Sequence, residues 1–359
     1  MAYTTIDDPS AYFQTALWTG NSTDNRSITN DGNSDLQPDF IWIKNRSSTQ
    51  YHYAYDSSRG ANVQLLPYDA AAESTVADRL QAFESDGFQV GASSEVNYNN
   101  YTYVAWQWKV NGGTRTTFSE SGANAGGGYQ VNTTAGITIV DYTGTGSSGP
   151  TITHGLGATP EFFVVKGRSI GDSWTAYHHK NTSAPETDMM KLDENGATQD
   201  NSVFWNDTAP TSTVFTVDGN NGEPKVNQDG QTYIAYCFRS IQGYSKFGGY
   251  TGNGNADGVF NYLGFLPKFL IVKRADSANH WLLMDAARAD VADANPVDQW
   301  LRADTNDAES SGLNFDFLSN GFKCRSNDPS LNADGGDYIY MAWAEHPFVS
   351  SEGVPITAR

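Results

Sequence analysis

Asp56 and Arg59 stand three positions apart in Tyr55-Asp56-Ser57-Ser58-Arg59-Gly60, and the pair returns as Asp285 and Arg288 in Asp285-Ala286-Ala287-Arg288. At that spacing a carboxylate and a guanidinium can pair within a turn, or the carboxylate can accept from backbone N–H groups. Two uses follow: a polar floor under a sugar, or a structural ion pair that fixes a loop. Tyr98, Tyr101 and Tyr103 crowd the approach to Trp106 and Trp108. In an alternating strand Tyr101 and Tyr103 share one face, and the two tryptophans share the other. One face then belongs to a core. The other suits an interface, or a platform that stacks on sugar rings. These seven residues, Asp56, Arg59, Asp285, Arg288, Tyr98, Tyr101 and Tyr103, are the candidate binding positions.

Other chemistry has weaker support. His178-His179, with Asp172 and Glu186, has metal-ligating types. Adjacent histidines in a strand point to opposite faces, so one ion cannot easily use both. They read as exposed polar residues of a loop or edge strand. Acidic loops at 304–307 and 327–337 offer oxygen ligands suited to calcium, without the twelve-residue loop and closing Glu. A glycosidase needs two carboxylates about 5–10 Å apart across a cleft. With 41 acidic residues some pair always qualifies, so the sequence neither supports nor excludes one. There is no Gly-x-Ser-x-Gly elbow, no phosphate loop and no His-Glu-x-x-His. The expectation is a protein that binds without catalysis, with no catalytic or metal residue and no cofactor assigned.

The elements that carry these residues repeat. Pro38-Asp39-Phe40-Ile41-Trp42-Ile43-Lys44 returns as Pro160-Glu161-Phe162-Phe163-Val164-Val165-Lys166 and as Pro267-Lys268-Phe269-Leu270-Ile271-Val272-Lys273. Each copy is a proline followed by aromatic and β-branched residues, the pattern of a strand buried on both faces. Upstream of each lies Trp18-Thr19-Gly20, Tyr142-Thr143-Gly144 or Tyr250-Thr251-Gly252. Downstream lies a closing strand, read as Tyr103-Val104-Ala105-Trp106, Tyr233-Ile234-Ala235-Tyr236 and Tyr340-Met341-Ala342-Trp343. Pro160 to Tyr233 and Pro267 to Tyr340 both span 73 positions, and Pro38 to Tyr103 spans 65. Between the strands, Asp86-Gly87, Asp218-Gly219 and Asn320-Gly321 read as turns needing positive φ. A repeat of about 100 residues is a small domain rather than a solenoid unit.

The expected fold is mainly β: three tandem β-sandwich-like domains of jelly-roll or lectin-like type, with short helices in loops. Residues 70–83 and 287–301 are the helix candidates. The boundaries are a docked leader at 1–11, repeats at 12–110, 136–239 and 240–348, a flexible Gly-rich linker at 111–135, and a tail at 349–359. Repeats two and three should pack more rigidly together than one and two. A net charge of −19 argues against nucleic-acid binding. Cys237 and Cys324 fall in different repeats, so a disulfide framework is not the stabilising device. The start of the chain lacks the basic and apolar regions of a secretion signal, and no apolar run approaches a membrane span.

Met1 to Gln14, Trp42-Ile43-Lys44-Asn45-Arg46, Tyr55 to Gly60, Phe83-Glu84-Ser85-Asp86-Gly87-Phe88 and Tyr103 to Lys109 together resemble a repeated domain of unassigned function. That domain is found in tail-fibre-like structural proteins of marine bacteriophages. The match is specific in repeat one, and repeats two and three are divergent copies. The resemblance implies a virion part made in a host cytoplasm. It would be a tail fibre or adhesin that binds host-surface glycan or neighbouring virion proteins. A capsid-decorating protein and a polysaccharide depolymerase are the alternatives. Fibre-like assemblies, a leader and tail that need a partner surface, and the surplus of strand aromatics together lead to the expectation of a homotrimer.

Overall fold

The structure, a computed structural model, describes residues 2–219, 226–289 and 291–356. Met1 of the leader, residues 357–359 of the tail and Asp290 of the second helix candidate lie outside the described residues. The chain is mainly β and built from several sheets. Each Pro-led run occupies the same place in an antiparallel set of four strands. The order is edge strand, closing strand, Pro-led strand, fourth strand. In unit one these are Phe13–Thr19, Thr102–Trp108, Phe40–Asn45 and His52–Asp56. In unit two they are Ile137–Thr143, Thr232–Phe238, Phe162–Gly167 and Thr175–His178. In unit three they are Ser245–Thr251, Asp337–Pro347, Phe265–Arg274 and Leu282–Asp285.

The Pro-led strands are apolar throughout because both of their faces are covered. Alternation along the strand divides the side chains. Ile41 and Ile43 point to a core of unit one alone, closed by Leu80, Phe88 and Val90 of a smaller outer sheet. Phe163 and Val165 do the same in unit two, and Leu270 and Val272 in unit three. The intervening residues, Phe40 and Trp42, Phe162 and Val164, Phe269 and Ile271, all enter one further core shared by the three units. Rings from different units meet there: Phe40–Tyr236 at 4.3 Å, Phe238–Trp343 at 5.7 Å and Trp108–Trp343 at 5.3 Å between centroids. A cavity of about 30 Å³ remains where all three converge. Each buried ring contributes about 1.5–3 kcal/mol. The shared core is therefore a main force holding the units as one body.

The register corrects one alignment. Trp18 pairs with Tyr103, Tyr142 with Tyr233, and Tyr250 with Tyr338. The closing strand of unit three thus begins its motif at Tyr338, 71 positions after Pro267, and not at Tyr340. The three tyrosines share a function. Their hydroxyls accept from the backbone N–H of Tyr98, Gln228 and Ala333, five residues upstream, at 2.7–2.8 Å. Buried Asn97, Asn227 and Asn332 each accept from the residue after the aromatic-Thr-Gly turn: Asn21, Thr145 and Asn253. The turn glycine is required by close approach. A Cβ at Gly20, Gly144 or Gly252 would lie 2.1–2.3 Å from a backbone carbonyl oxygen of the opposing loop.

Other expectations change. Residues 70–83 form no helix: they hold strands Ser74–Thr75 and Leu80–Glu84, and Glu73 N donates across a unit boundary to Arg168 O. Residues 286–288 make one turn of 3-10 helix and Val297–Arg302 is a strand. Of the three Asp/Asn-Gly turns only Gly87 has positive φ, at 100°. The linker is no loose tether. Its strands Thr116–Phe118 and Gly127–Asn132 extend the sheet of unit two beyond Ile137–Thr143. The leader docks on its own chain. Ile6 enters the shared core, Thr4 Oγ1 donates to Gln242 O at 2.8 Å, and Tyr3 OH donates to Gly264 O at 2.8 Å. Asp7 accepts from Ser351 N at 2.7 Å, which ties leader to tail. Among the described residues no helix is long and apolar enough to cross a membrane.

Candidate functional site

The units contact one another in a cycle. Glu309 N of unit three donates to Arg46 O of unit one, Glu73 N of unit one to Arg168 O of unit two, and Thr198 N of unit two to Ala275 O of unit three. Lys44, Lys166 and Lys273 end the three Pro-led strands and are fully buried. Their ammonium groups cap carbonyls: Lys44 reaches Asn306 O of unit three at 3.2 Å, and Lys166 reaches Ala70 O of unit one at 2.8 Å. Burial pulls Lys44 down to about 7 and Lys166 and Lys273 to about 8, only partly countered by nearby aspartates.

The Asp–Arg pairs lie inside this cycle. Asp56 and Arg59 are buried at the junction of units one and two, with Arg59 Nε 2.5 Å from Asp56 Oδ2. Tyr236 OH of unit two donates to the same oxygen at 2.6 Å. Asp285 and Arg288 are buried at the junction of units three and one, where Trp106 Nε1 donates to Asp285 Oδ2 at 3.0 Å. Arg288 continues to Glu309 at 2.6 Å, and Glu309 to Arg46 at 2.6 Å. Arg168–Glu73 closes the corresponding chain at 2.8 Å. With side chains 0% exposed, these pairs touch protein groups and present no floor to a ligand.

The third junction, between units two and three, has a neutral set at the same positions. Strand pairing places His178 where Asp56 and Asp285 stand. Asn181 follows at the arginine position, Thr198 at the glutamate position and Ala275 at the second arginine position; the Trp106 and Tyr236 position is Met341, which has no donor. His178 is therefore not an exposed loop residue. It is wholly buried, its Nε2 lies 3.3 Å from Tyr340 O, and burial pushes its pKa down to about 3. His179 turns the other way and reaches Phe247 O at 3.0 Å.

Of the tyrosine candidates, Tyr103 is buried in the core of unit one and its hydroxyl is committed to backbone. Tyr98 is 48% exposed and meets Tyr101 edge-on at 4.8 Å, a small aromatic corner on the rim of unit one. Residues 304–307 remain a loop, whereas 327–337 hold the helical turn Pro329–Asn332 and the start of the strand Asp337–Pro347. Among the described residues no three His, Cys, Asp or Glu converge as a metal ion would require.

What the sequence did not point to is a groove of about 670 Å³ between units two and three. Its floor is the edge strand Ser245–Thr251, where Gly248 and Gly249 carry no side chain. One wall holds Glu161, His179 and Lys180 of unit two; the other holds Lys246, Tyr262 and the leader's Tyr3. Tyr262 is 51% exposed, its hydroxyl 3.2 Å from that of Tyr3. Lys246 Nζ lies 5.4 Å from the Tyr262 ring centre and donates to Tyr262 O at 2.6 Å. Burial lowers the pKa of Lys246, and Glu161 opposes that shift. At the junction of units one and two the corresponding edge, Ile137–Thr143, is covered by the chain's own Gly127–Asn132, whose Gln130 binds Ser57 and Ser58. A smaller space of about 290 Å³ lies at the remaining junction, beside Thr15 and Lys268.

The family described as a domain of unknown function, DUF7483, matches residues 8–347, and the chain belongs to that family. No curated protein and no solved structure matches the chain.

Proposed function

We propose that this chain is a non-catalytic structural protein of a bacteriophage virion, a tail-fibre or adhesin component whose groove between units two and three holds a host-surface glycan. The phage context rests on the resemblance of the opening residues and of repeat one to tail-fibre-like proteins. In this reading the three units are β-sandwich-like domains fused into one body.

The groove carries the binding half of the reading. An exposed tyrosine ring, a bare glycine floor and convergent polar side chains suit the flat apolar face and the hydroxyl edge of a sugar ring. Its volume falls within the roughly 300–1,000 Å³ of ordinary ligand sites. Its walls come from two units locked through the shared core, so the site costs little ordering on binding.

Antibody against the chain should label the tail or its fibres on intact particles, and host cells should retain the purified chain through Tyr262. Label confined to the head shell would replace the adhesin by a decoration protein. Release of reducing sugar from host polysaccharide would replace both by a depolymerase.

A further inference from the structure

We infer that the groove between units two and three selects a saccharide bearing carboxylate groups. This rests on the groove being the glycan site. The chain as a whole repels anions, with 41 acidic residues against 22 basic ones. The groove reverses that balance. Lys180 and Lys246 face it from opposite walls, and Glu161 is the single carboxylate lining it. Glu161 Oε2 is already taken by Ser240, which donates through both its N–H and its hydroxyl.

Lys246 spends one of its three donors on Tyr262 O and keeps two. It is held beside the very ring that a sugar would stack on. A pyranose lying on Tyr262 therefore brings a ring carboxylate within reach of Lys246, with Lys180 across the floor for a second. The bare floor matters here. A Cβ at Gly248 would sit 2.3 Å from Tyr340 Oη and one at Gly249 2.9 Å from Tyr338 O, so a side chain at either position would collide with groups already packed there. The corresponding edge in unit two is roofed by Gly127–Asn132, so an open edge is not imposed by the repeat.

The test is calorimetric titration of the whole chain with oligogalacturonate, with sialyllactose, with the carboxyl-reduced forms of both, and with oligoglutamate. One charge-assisted contact of about 1.5–3 kcal/mol corresponds to roughly ten- to a hundredfold in affinity. At least one carboxylated sugar should bind and weaken by that factor on reduction of its carboxyl, on rising salt, and in Lys180→Gln with Lys246→Met. Because the reduced ligands are tested on the unaltered chain, the result does not depend on the variants folding. Reduced and carboxylated sugars binding equally would overturn the selectivity and leave the glycan site standing. Oligoglutamate matching the best sugar would overturn it in favour of a plain anion site. If no sugar binds at all, and Tyr262→Ala changes no cell binding, both the selectivity and the glycan site fail.

Discussion

Arg288→Asn should be far more damaging alone than inside a matched set. Arg288 is wholly buried and donates to Asp285, to Glu309 and to Leu283 O. Removing only the guanidinium leaves Asp285 buried without a cation and Glu309 held by Arg46 alone, and breaking a buried pair from one side costs about 3–5 kcal/mol. The junction of units two and three shows what the same scaffold accepts instead: His178, Asn181, Thr198 and Ala275 at the positions of Asp285, Arg288, Glu309 and Arg46. Installing that set at the junction of units three and one (Asp285→His, Arg288→Asn, Glu309→Thr and Arg46→Ala) removes two positive and two negative charges together. No buried ion is left unpaired. Beyond the lost donor to Leu283 O, which both variants share, what remains is the lost acceptor of Trp106 Nε1, about 1–3 kcal/mol. The quadruple variant should thus lose less than Arg288→Asn alone, and far less than the sum of its four parts. Urea titration followed by tryptophan fluorescence measures this, provided the slope of the transition is unchanged between variants. Four losses that simply add would refute the reasoning, because they would show that the charges do not act as one network.

His178 binds a proton in the unfolded chain below its ordinary 6.5 but in the folded chain only near 3, so stability falls as pH drops through that window. Its share is about 2 kcal/mol lost by pH 5, and melting curves of His178→Asn should lose that share of the slope. Gly144→Ala, whose Cβ would lie 2.3 Å from Gln228 O, should cost about 1–3 kcal/mol, against no change for Gly196→Ala, which meets nothing within 4 Å. Trp106→Ala should cost about 3–5 kcal/mol in denaturant, since its ring is fully buried between units one and three; a loss below about 1 kcal/mol would remove it from the shared core. Light scattering of the purified chain should return the mass of one chain, since the leader and the strand aromatics find their partners internally; a trimer mass would show that further surface is used.

The Pro-led strands were legible because burial on both faces demands an unbroken apolar run, and little else in a chain this polar looks like one. The slip at Tyr340 has a physical cause. Tyr338, Tyr340 and Ala342 face one way, and Ile339, Met341 and Trp343 the other, so a shift of two leaves every side chain on its proper face. The true register shows in the hydroxyl of Tyr338, bonded to Pro329 O and Ala333 N of the loop just before it, and in the pairing of Tyr338 with Tyr250. Ala70-Ala71-Ala72-Glu73 has helix propensity, yet Glu73 is pinned to Arg168 of another unit, and propensity is the weaker force. The Asp–Arg pairs could be seen, but not the units that cover them. The groove could not be seen at all, because positions 3, 161, 179–180 and 246–262 meet only after the three units close.

The surplus of strand aromatics, which suggested a homotrimer, has the same origin as the groove. A sheet with two apolar faces needs two covers. In each unit one cover is the unit's own outer strands, which in unit three continue the same sheet, and the other is supplied by its neighbours around the shared core. Three-fold packing is therefore completed within one chain, and a chain can differ at each junction where a homotrimer cannot. This chain uses that freedom. Two junctions are clamped by buried ion networks, and one of these is also roofed by the linker strand. The third is joined by neutral contacts such as Phe162–Phe247, stacked at 6.2 Å, and it opens a larger groove than the space at the junction of units three and one. In the proposed reading, the neutral His178, Asn181, Thr198 and Ala275 set leaves Glu161 as the one carboxylate lining the groove beside Lys180 and Lys246.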